Sequence, residues 1–215
     1  MRKIILTLML MSMIITCSKS TSPSPTPQYS IKVGDSWLFQ RTRNNTTDTM
    51  KVVVKPETTI NNILFYPLFD TTSNSNLMYI NASDSIINAI AFNFGNNTYY
   101  IISRLIRANV NQGDGWKDST IISTNPLIKI RVETKVDSLN VSENVPAGTF
   151  TTTEISQTYR YIHQGVTPDT INGIIIAENK FYINRDVIFV RVKGNSYYPQ
   201  NISEDDKLIK YTKAQ

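Results

Sequence analysis

Along most of the chain the hydrophobic positions recur at every second residue. The pattern is cleanest in Lys129-Ile130-Arg131-Val132-Glu133-Thr134-Lys135-Val136. There Ile130, Val132 and Val136 share one face, and Lys129, Arg131, Glu133 and Lys135 share the other, as in a strand with one dry and one wet side. Lys51-Val52-Val53-Val54-Lys55 and the alternation Asp186, Ile188, Val190, Val192 repeat the theme less cleanly. Further strand-like runs lie at 37–43, 63–69, 77–81, 86–94, 99–106, 119–123, 149–158 and 207–213. Turn-forming residues separate them: Asn61-Asn62, Ala82-Ser83-Asp84-Ser85, Gly95-Asn96-Asn97, Gly113-Asp114-Gly115, Asn172-Gly173 and Gly194-Asn195-Ser196. No stretch sustains the i, i+3, i+4, i+7 spacing of an amphipathic helix. Ser203-Glu204-Asp205-Asp206 has the composition of a cap for a last short helix, but Leu208, Lys210 and Thr212 alternate with Ile209 and Tyr211, which favours a closing strand. Glu204-Asp205-Asp206 then reads as a solvated turn. Spacings near ten residues suit an antiparallel meander. The expected fold is all-β or mainly β: a single antiparallel, strongly curved sheet over residues 29–215, closing into a half-barrel or open barrel or splitting into a sandwich.

The first 28 residues depart from this pattern. Arg2 and Lys3 precede an apolar run from 4 to 16 that ends at Cys17. As a helix those thirteen residues would span about 20 Å, short of the roughly 30 Å hydrocarbon core, so residues 1–16 read as an export signal and not a membrane span. The stop at Cys17 resembles the lipobox of bacterial lipoproteins, with Ile14 and Ile15 upstream and Thr16 where a smaller residue is usual. That resemblance implies signal removal, acyl chains (palmitate among them) on Cys17, and attachment to a membrane of the cell envelope. Residues 18–28 hold no core-forming side chain, and Pro23, Pro25 and Pro27 favour an extended tether of at most about 34 Å at 3.1 Å per residue. Ser18 follows the cysteine where an acid would signal retention. By resemblance to enterobacterial sorting this implies the outer membrane, on its periplasmic or surface side.

Two turns nearly repeat one another. Val33-Gly34-Asp35-Ser36-Trp37 recurs as Gln112-Gly113-Asp114-Gly115-Trp116. Glycine supplies a positive φ, aspartate closes the turn through its side chain, and tryptophan enters the core as the strand begins. Core packing is the expected role of Trp37 and Trp116; the functional alternative is an aromatic pair lining a pocket. Val145-Pro146-Ala147-Gly148-Thr149-Phe150 reads as a sharp turn that delivers Phe150 and Ile155 to the next strand. Tyr161 and His163 lie in an aromatic run, where a single histidine is expected to be partly buried and hydrogen-bonded.

Taken together these motifs resemble a group of uncharacterised bacterial lipoproteins. The resemblance rests on the lipobox, Tyr29-x-x-x-x-Gly34-Asp35-x-Trp37-x-Phe39, the second Gly113-Asp114-x-Trp116, the Val145–Phe150 segment and a late pair of strands over 181–192. It implies a β-rich periplasmic or surface domain and carries over no catalytic residue. The late element departs from the group: a glycine expected before the final valines is absent, and Asp186-Val187-Ile188-Phe189 stands there instead.

Composition narrows the chemistry. The formal charge is 22 − 17 = +5, and removing Arg2 and Lys3 leaves 20 − 17 = +3, too small a surplus to imply a nucleic-acid surface. One cysteine rules out a disulfide framework, and one histidine rules out a multi-histidine metal centre. No metal and no cofactor is expected. Walker, GxSxG, HExxH and GxGxxG motifs are missing, although calcium needs only the oxygens that Asp and Asn supply. Eleven tyrosines favour a non-enzymatic module that offers a concave aromatic face to a hydrophobic ligand, a glycan or an envelope protein. Trp37, Trp116, Phe150 and Tyr161 are the candidate pocket aromatics. The alternative is a metal-independent envelope hydrolase using paired carboxylates, with Asp114, Asp118 and Glu154 as candidates.

Overall fold

The computed structural model describes residues 28–94, 96–164, 173–197 and 201–215. The expected signal, Cys17 and nearly all of the tether lie outside these residues. Among the described residues the chain forms thirteen strands and no helix. They are β1 (Ser36–Arg43), β2 (Thr46–Val54), β3 (Thr58–Ile60), β4 (Ile63–Asp70), β5 (Ser75–Ala82), β6 (Ile86–Phe94), β7 (Asn97–Ile106), β8 (Gly115–Thr124), β9 (Leu127–Val145), β10 (Gly148–His163), β11 (Ile174–Asn184), β12 (Ile188–Ser196) and β13 (Ile202–Thr212).

All pair antiparallel. The sheet runs β7-β6-β5-β4-β2-β1-β13-β12-β11-β10-β9-β8, with the short β3 paired to β4. Two meanders therefore meet where the first strand pairs with the last: Trp37 lies opposite Tyr211, and Arg41 opposite Asp206. The sheet curls until it is nearly closed into a barrel. The expected all-β, strongly curved single sheet is what forms, and it is an open, nearly closed barrel, not a sandwich.

The turns explain the meander. Asn44 and Asn45 (φ 45° and 70°) and Asn61 and Asn62 (φ 50° and 63°) adopt the left-handed pair that a two-residue hairpin requires. Gly34 and Gly113 take φ of 94° and 88°. In the first turn the Asp35 carboxylate accepts the Lys32 amide at 2.8 Å, while Val54 N–H donates to Asp35 O at 2.9 Å. In the second, the Asp114 carboxylate accepts the Asn111 amide at 2.8 Å, and Val136 N–H donates to Asp114 O at 2.8 Å. The repeat seen in sequence is thus a repeat of backbone geometry, one copy starting each half of the barrel. One expected turn is corrected: Gly194-Asn195-Ser196 lies within β12, paired to Glu204, Ser203 and Ile202. A side chain at Gly194 would meet Asn179 Oδ1 at 2.8 Å, so this glycine gives room to a cross-strand neighbour and does not reverse the chain. Strand β11 starts at Ile174, ahead of the 181–192 pair that the resemblance implies; its first half does not stand out as a run, because a bulge at Ile176 against β10 breaks its alternation.

The main core fills the inside of the curve, with Trp37, Ile80, Leu105, Ile155, Phe181 and Leu208 drawn from both meanders. A second cluster, including Ile101, Ile130, Val132 and Tyr159, lies towards the β7–β8 opening. Alternation places Phe65 and Ala89 on the opposite face, where Ile60 of β3 covers them.

Side chains latch the opening. Arg104 of β7 donates its amide to Asp118 Oδ2 at 2.9 Å. Its carbonyl accepts from Trp116 Nε1 at 2.7 Å, Thr134 Oγ1 at 3.2 Å and Gln157 Nε2 at 3.3 Å. Gln157 is wholly buried; it also donates to Thr134 Oγ1 at 3.1 Å and accepts from Tyr159 OH at 2.8 Å. Burial pushes the Tyr159 phenol up to about 12. A polar bundle thereby does for β7 and β8 what the backbone ladder does for β1 and β13.

Candidate functional site

Strand β1 turns Trp37, Phe39 and Arg41 inward by simple alternation, and β13 turns Glu204, Asp206 and Leu208 inward to meet them. The register sets Asp206, Arg41 and Asp48 in one row across β13, β1 and β2. Next to this row is a cavity of about 70 Å³. Its walls include Trp37, Phe39, Met50, Leu68, Met78 and Phe189, and Asp206 is its one ionisable lining residue.

Trp37 is held in place. Its indole N–H donates to Val187 O at 2.6 Å, and its ring meets Phe189 edge-on at 6.1 Å and Tyr211 at 5.4 Å. Burial, with Asp35 nearby, pushes the Tyr211 phenol up to about 12. Arg41 is held equally firmly. Its Nε and Nη2 each donate to an oxygen of Asp48 at 3.1 Å, and its Nη1 lies 3.6 Å from Asp70 Oδ2 and donates to Met50 Sδ at 3.4 Å. The hydrogen bond to Asp48 is the main reason its pKa rises. Burial drives the Asp70 pKa up, but hydrogen bonds from Ser73 and Thr72 and the Arg41 charge together bring it below the usual value.

Asp206 is different. It is 8% exposed, and its Oδ1 is buried with no hydrogen-bond partner among the described residues. Burial, reinforced by the Glu204 charge and only partly offset by Arg41 and Arg43, pushes its carboxyl up to about 7. The acidic run 204–206 is therefore part of a strand and not the expected solvated turn. Alternation sends Asp205 outward to Arg191 at 2.6 Å, and Asp206 inward.

Of the four candidate pocket aromatics, Trp37 lines this cavity. Trp116 is buried at the β7–β8 latch with the Arg107 guanidinium 4.8 Å over its ring. Phe150 packs half-buried against the main core, and Tyr161 against the second cluster, edge-on to His163 at 6.2 Å. The three carboxylates considered for hydrolysis hold structural partners. Asp114 closes its turn, Asp118 caps Arg104, and Glu154 pairs with Lys180. Among the described residues no group of three or more His, Cys, Asp or Glu is placed to hold a metal. Met50, Met78 and Arg41 are not singled out by the sequence, and Asp206 is read there only as part of a solvated turn. The available signal was a charged residue in register with apolar ones: Trp37-x-Phe39-x-Arg41 and Asp206-x-Leu208.

No family model matches the chain, and no curated protein matches it. Two solved structures are similar. One is a protein from Parabacteroides distasonis ATCC 8503, provisionally described as a lipoprotein: TM-score 0.50, 11% identity, covering 87% of this chain and 99% of that one. The other is a provisionally described exported protein with a YmcC-like fold from Bacteroides fragilis NCTC 9343: TM-score 0.46, 12% identity, covering 87% and 100%. At these identities the likeness is one of fold.

Proposed function

We propose that the protein is a lipid-anchored binding module of the bacterial cell envelope, non-enzymatic, whose barrel interior receives a small hydrophobic ligand. The observation that carries the reading is the cavity walled by Trp37, Phe39, Met50, Leu68, Met78 and Phe189. Two methionines among rigid aromatics make an adaptable apolar wall, which suits a bound group of variable shape. The anchoring half rests on the lipobox ending at Cys17 and is supported by the provisional lipoprotein description of the Parabacteroides protein with this fold. Each buried methylene of an acyl chain adds about 0.8 kcal/mol, so several chains on Cys17 hold the barrel at the membrane, outer-membrane sorting following from Ser18.

Both halves are open to test. 1-Bromohexane quenches tryptophan on contact, so it should quench Trp37 saturably while Trp116, tied into the latch, responds only in proportion to concentration. Trp116→Phe should keep the saturable component and Trp37→Phe should lose it. Linear quenching in both variants would remove the ligand reading. For the anchor, Cys17→Ala should leave the protein unprocessed or in the soluble fraction after a high-salt wash. Membrane retention identical to wild type would place the anchor elsewhere.

A further inference from the structure

We infer that the ligand of this cavity is an apolar amine, its protonated nitrogen seated against the Asp206 carboxylate. The inference rests on the binding reading above and names the head group that the ligand carries.

Burial leaves Asp206 with an unmet demand. Among the described residues no donor reaches its Oδ1, which is out of solvent, and every other side chain lining the cavity is apolar. A buried carboxylate oxygen left unpaired is costly, and a donor arriving with a ligand removes that cost.

The surrounding charge selects the sign of that donor. From β1, Arg41 and Arg43 act on Asp206; from β13, Glu204 and Asp205 do. Asp48 on β2 and Asp70 on β4 reach it through their shared hold on Arg41. Val192, its neighbour across β12, is neutral. Arg41 already pairs with Asp48 and Asp70, and Arg43 pairs with Glu204 at 3.0 Å. Four carboxylates, Asp48, Asp70, Glu204 and Asp206, thus share two arginines, and Asp206, the one without a close pair among the described residues, faces the cavity. A third cation is what this arrangement lacks. The same field repels phosphate and carboxylate heads, which sets a simple amine apart from a zwitterionic phospholipid.

Size and chemistry agree. About 70 Å³ corresponds to roughly five water-sized positions, enough for a short alkyl or ring group and its nitrogen. A bare metal ion would need several oxygens at bonding distance, and the cavity offers one carboxylate.

The experiment compares n-hexylamine, n-hexanol and hexanoate on the full chain in nanodiscs, with empty nanodiscs correcting for partition. Binding is read from the indole ¹H–¹⁵N resonance of Trp37, with that of Trp116 as an internal reference. At pH 8 hexylamine should bind at least tenfold tighter than hexanol, and hexanoate weakest. Between pH 8 and pH 5.5 the amine stays protonated while Asp206 takes up a proton, so the preference should shrink to near parity. Asp206→Asn should abolish the preference at pH 8 and leave hexanol binding in place. The pH series on the wild-type chain decides the matter should that variant fail to fold. Hexanol binding as tightly as hexylamine at pH 8, or a preference that survives at pH 5.5 or in Asp206→Asn, overturns the amine assignment and leaves the apolar cavity standing. If none of the three compounds moves the Trp37 resonance, the cavity reading falls and the amine assignment falls with it.

Discussion

Asp206 and Ile188 show how single side chains bear strain for the barrel. Asp206 is held at about 7 against 3.8 in an ordinary setting. At 1.36 kcal/mol per decade this difference amounts to roughly 4 kcal/mol as an upper figure. Its sign is destabilising. Well below pH 3.8 the carboxyl is neutral whether folded or unfolded. As pH rises from 4 to 7 the unfolded chain gives up the proton that the fold retains, so stability falls across that window and stays reduced above it. Asp206→Asn should therefore be about 1–3 kcal/mol more stable than wild type at pH 8 and indistinguishable at pH 4, as urea midpoints at the two pH values will show. Equal midpoints at pH 8 would mean that the carboxylate is solvated.

Ile188 opens β12. It has φ of 60° and is 1% exposed. A β-branched residue in the left-handed region costs about 1–2 kcal/mol, yet this side chain fills the core beside Phe189. Ile188→Gly relieves the strain and leaves a cavity that costs about 2–5 kcal/mol, so the variant should be destabilised by about 1–3 kcal/mol in chemical denaturation. A stabilised variant would show that the strain outweighs the packing.

At the scale of elements, the paired strands were legible wherever one face is apolar, and least legible where polar residues are buried. On β9, Thr134 sits on the dry face between Val132 and Val136 and is 3% exposed, because it reaches across to Arg104 O. Gln157 is buried on β10 for the same reason. Alternation identifies their face, but the carbonyl that each satisfies belongs to a strand far away in sequence. Gln157→Leu breaks this latch and leaves the Tyr159 hydroxyl without its acceptor. It should cost about 1–3 kcal/mol and selectively speed amide exchange in β7 and β8 relative to β1 and β13. A uniform change over all strands would mean that the bundle is not a local latch. On the outer face, Arg191 binds Glu143 Oε1 at 2.7 Å and Asp205 at 2.6 Å, joining β9, β12 and β13. The hydrogen bond to Asp205 is the main reason the arginine's pKa rises, while that carboxylate, desolvated but gripped by Arg191, ends below its usual value. A depressed carboxylate stabilises the fold above its unfolded pKa and loses that contribution in acid. Arg191→Ala should therefore cost about 1–3 kcal/mol at pH 7 and less at pH 3, measured by thermal melts.

For the whole molecule, closure depends on the chain's two ends. The β1–β13 ladder joins residues about 170 apart, as in Trp37 opposite Tyr211, so the barrel closes only after a large loss of chain entropy. Deleting residues 202–215 removes the bridge between β1 and β12, along with Asp206 and Leu208. Such a chain should lose its near-ultraviolet tryptophan signal while retaining strand-rich circular dichroism. A native near-ultraviolet spectrum would show that the remaining twelve strands pack without the seam. The sequence by itself determined the local matters: strand after strand by period two, hairpins by their Asn and Gly pairs, and the two Gly-Asp-x-Trp turns. These depend on contacts within about ten residues, where backbone sterics and alternation dictate geometry. Only the tertiary structure decided that the sheet closes as a barrel, that Trp37 lines a cavity while Trp116 secures a latch, and that Asp206 faces inward beside Arg41. Those outcomes depend on which faces meet across the barrel, and burial of a polar side chain is settled by partners that no local pattern in the chain encodes.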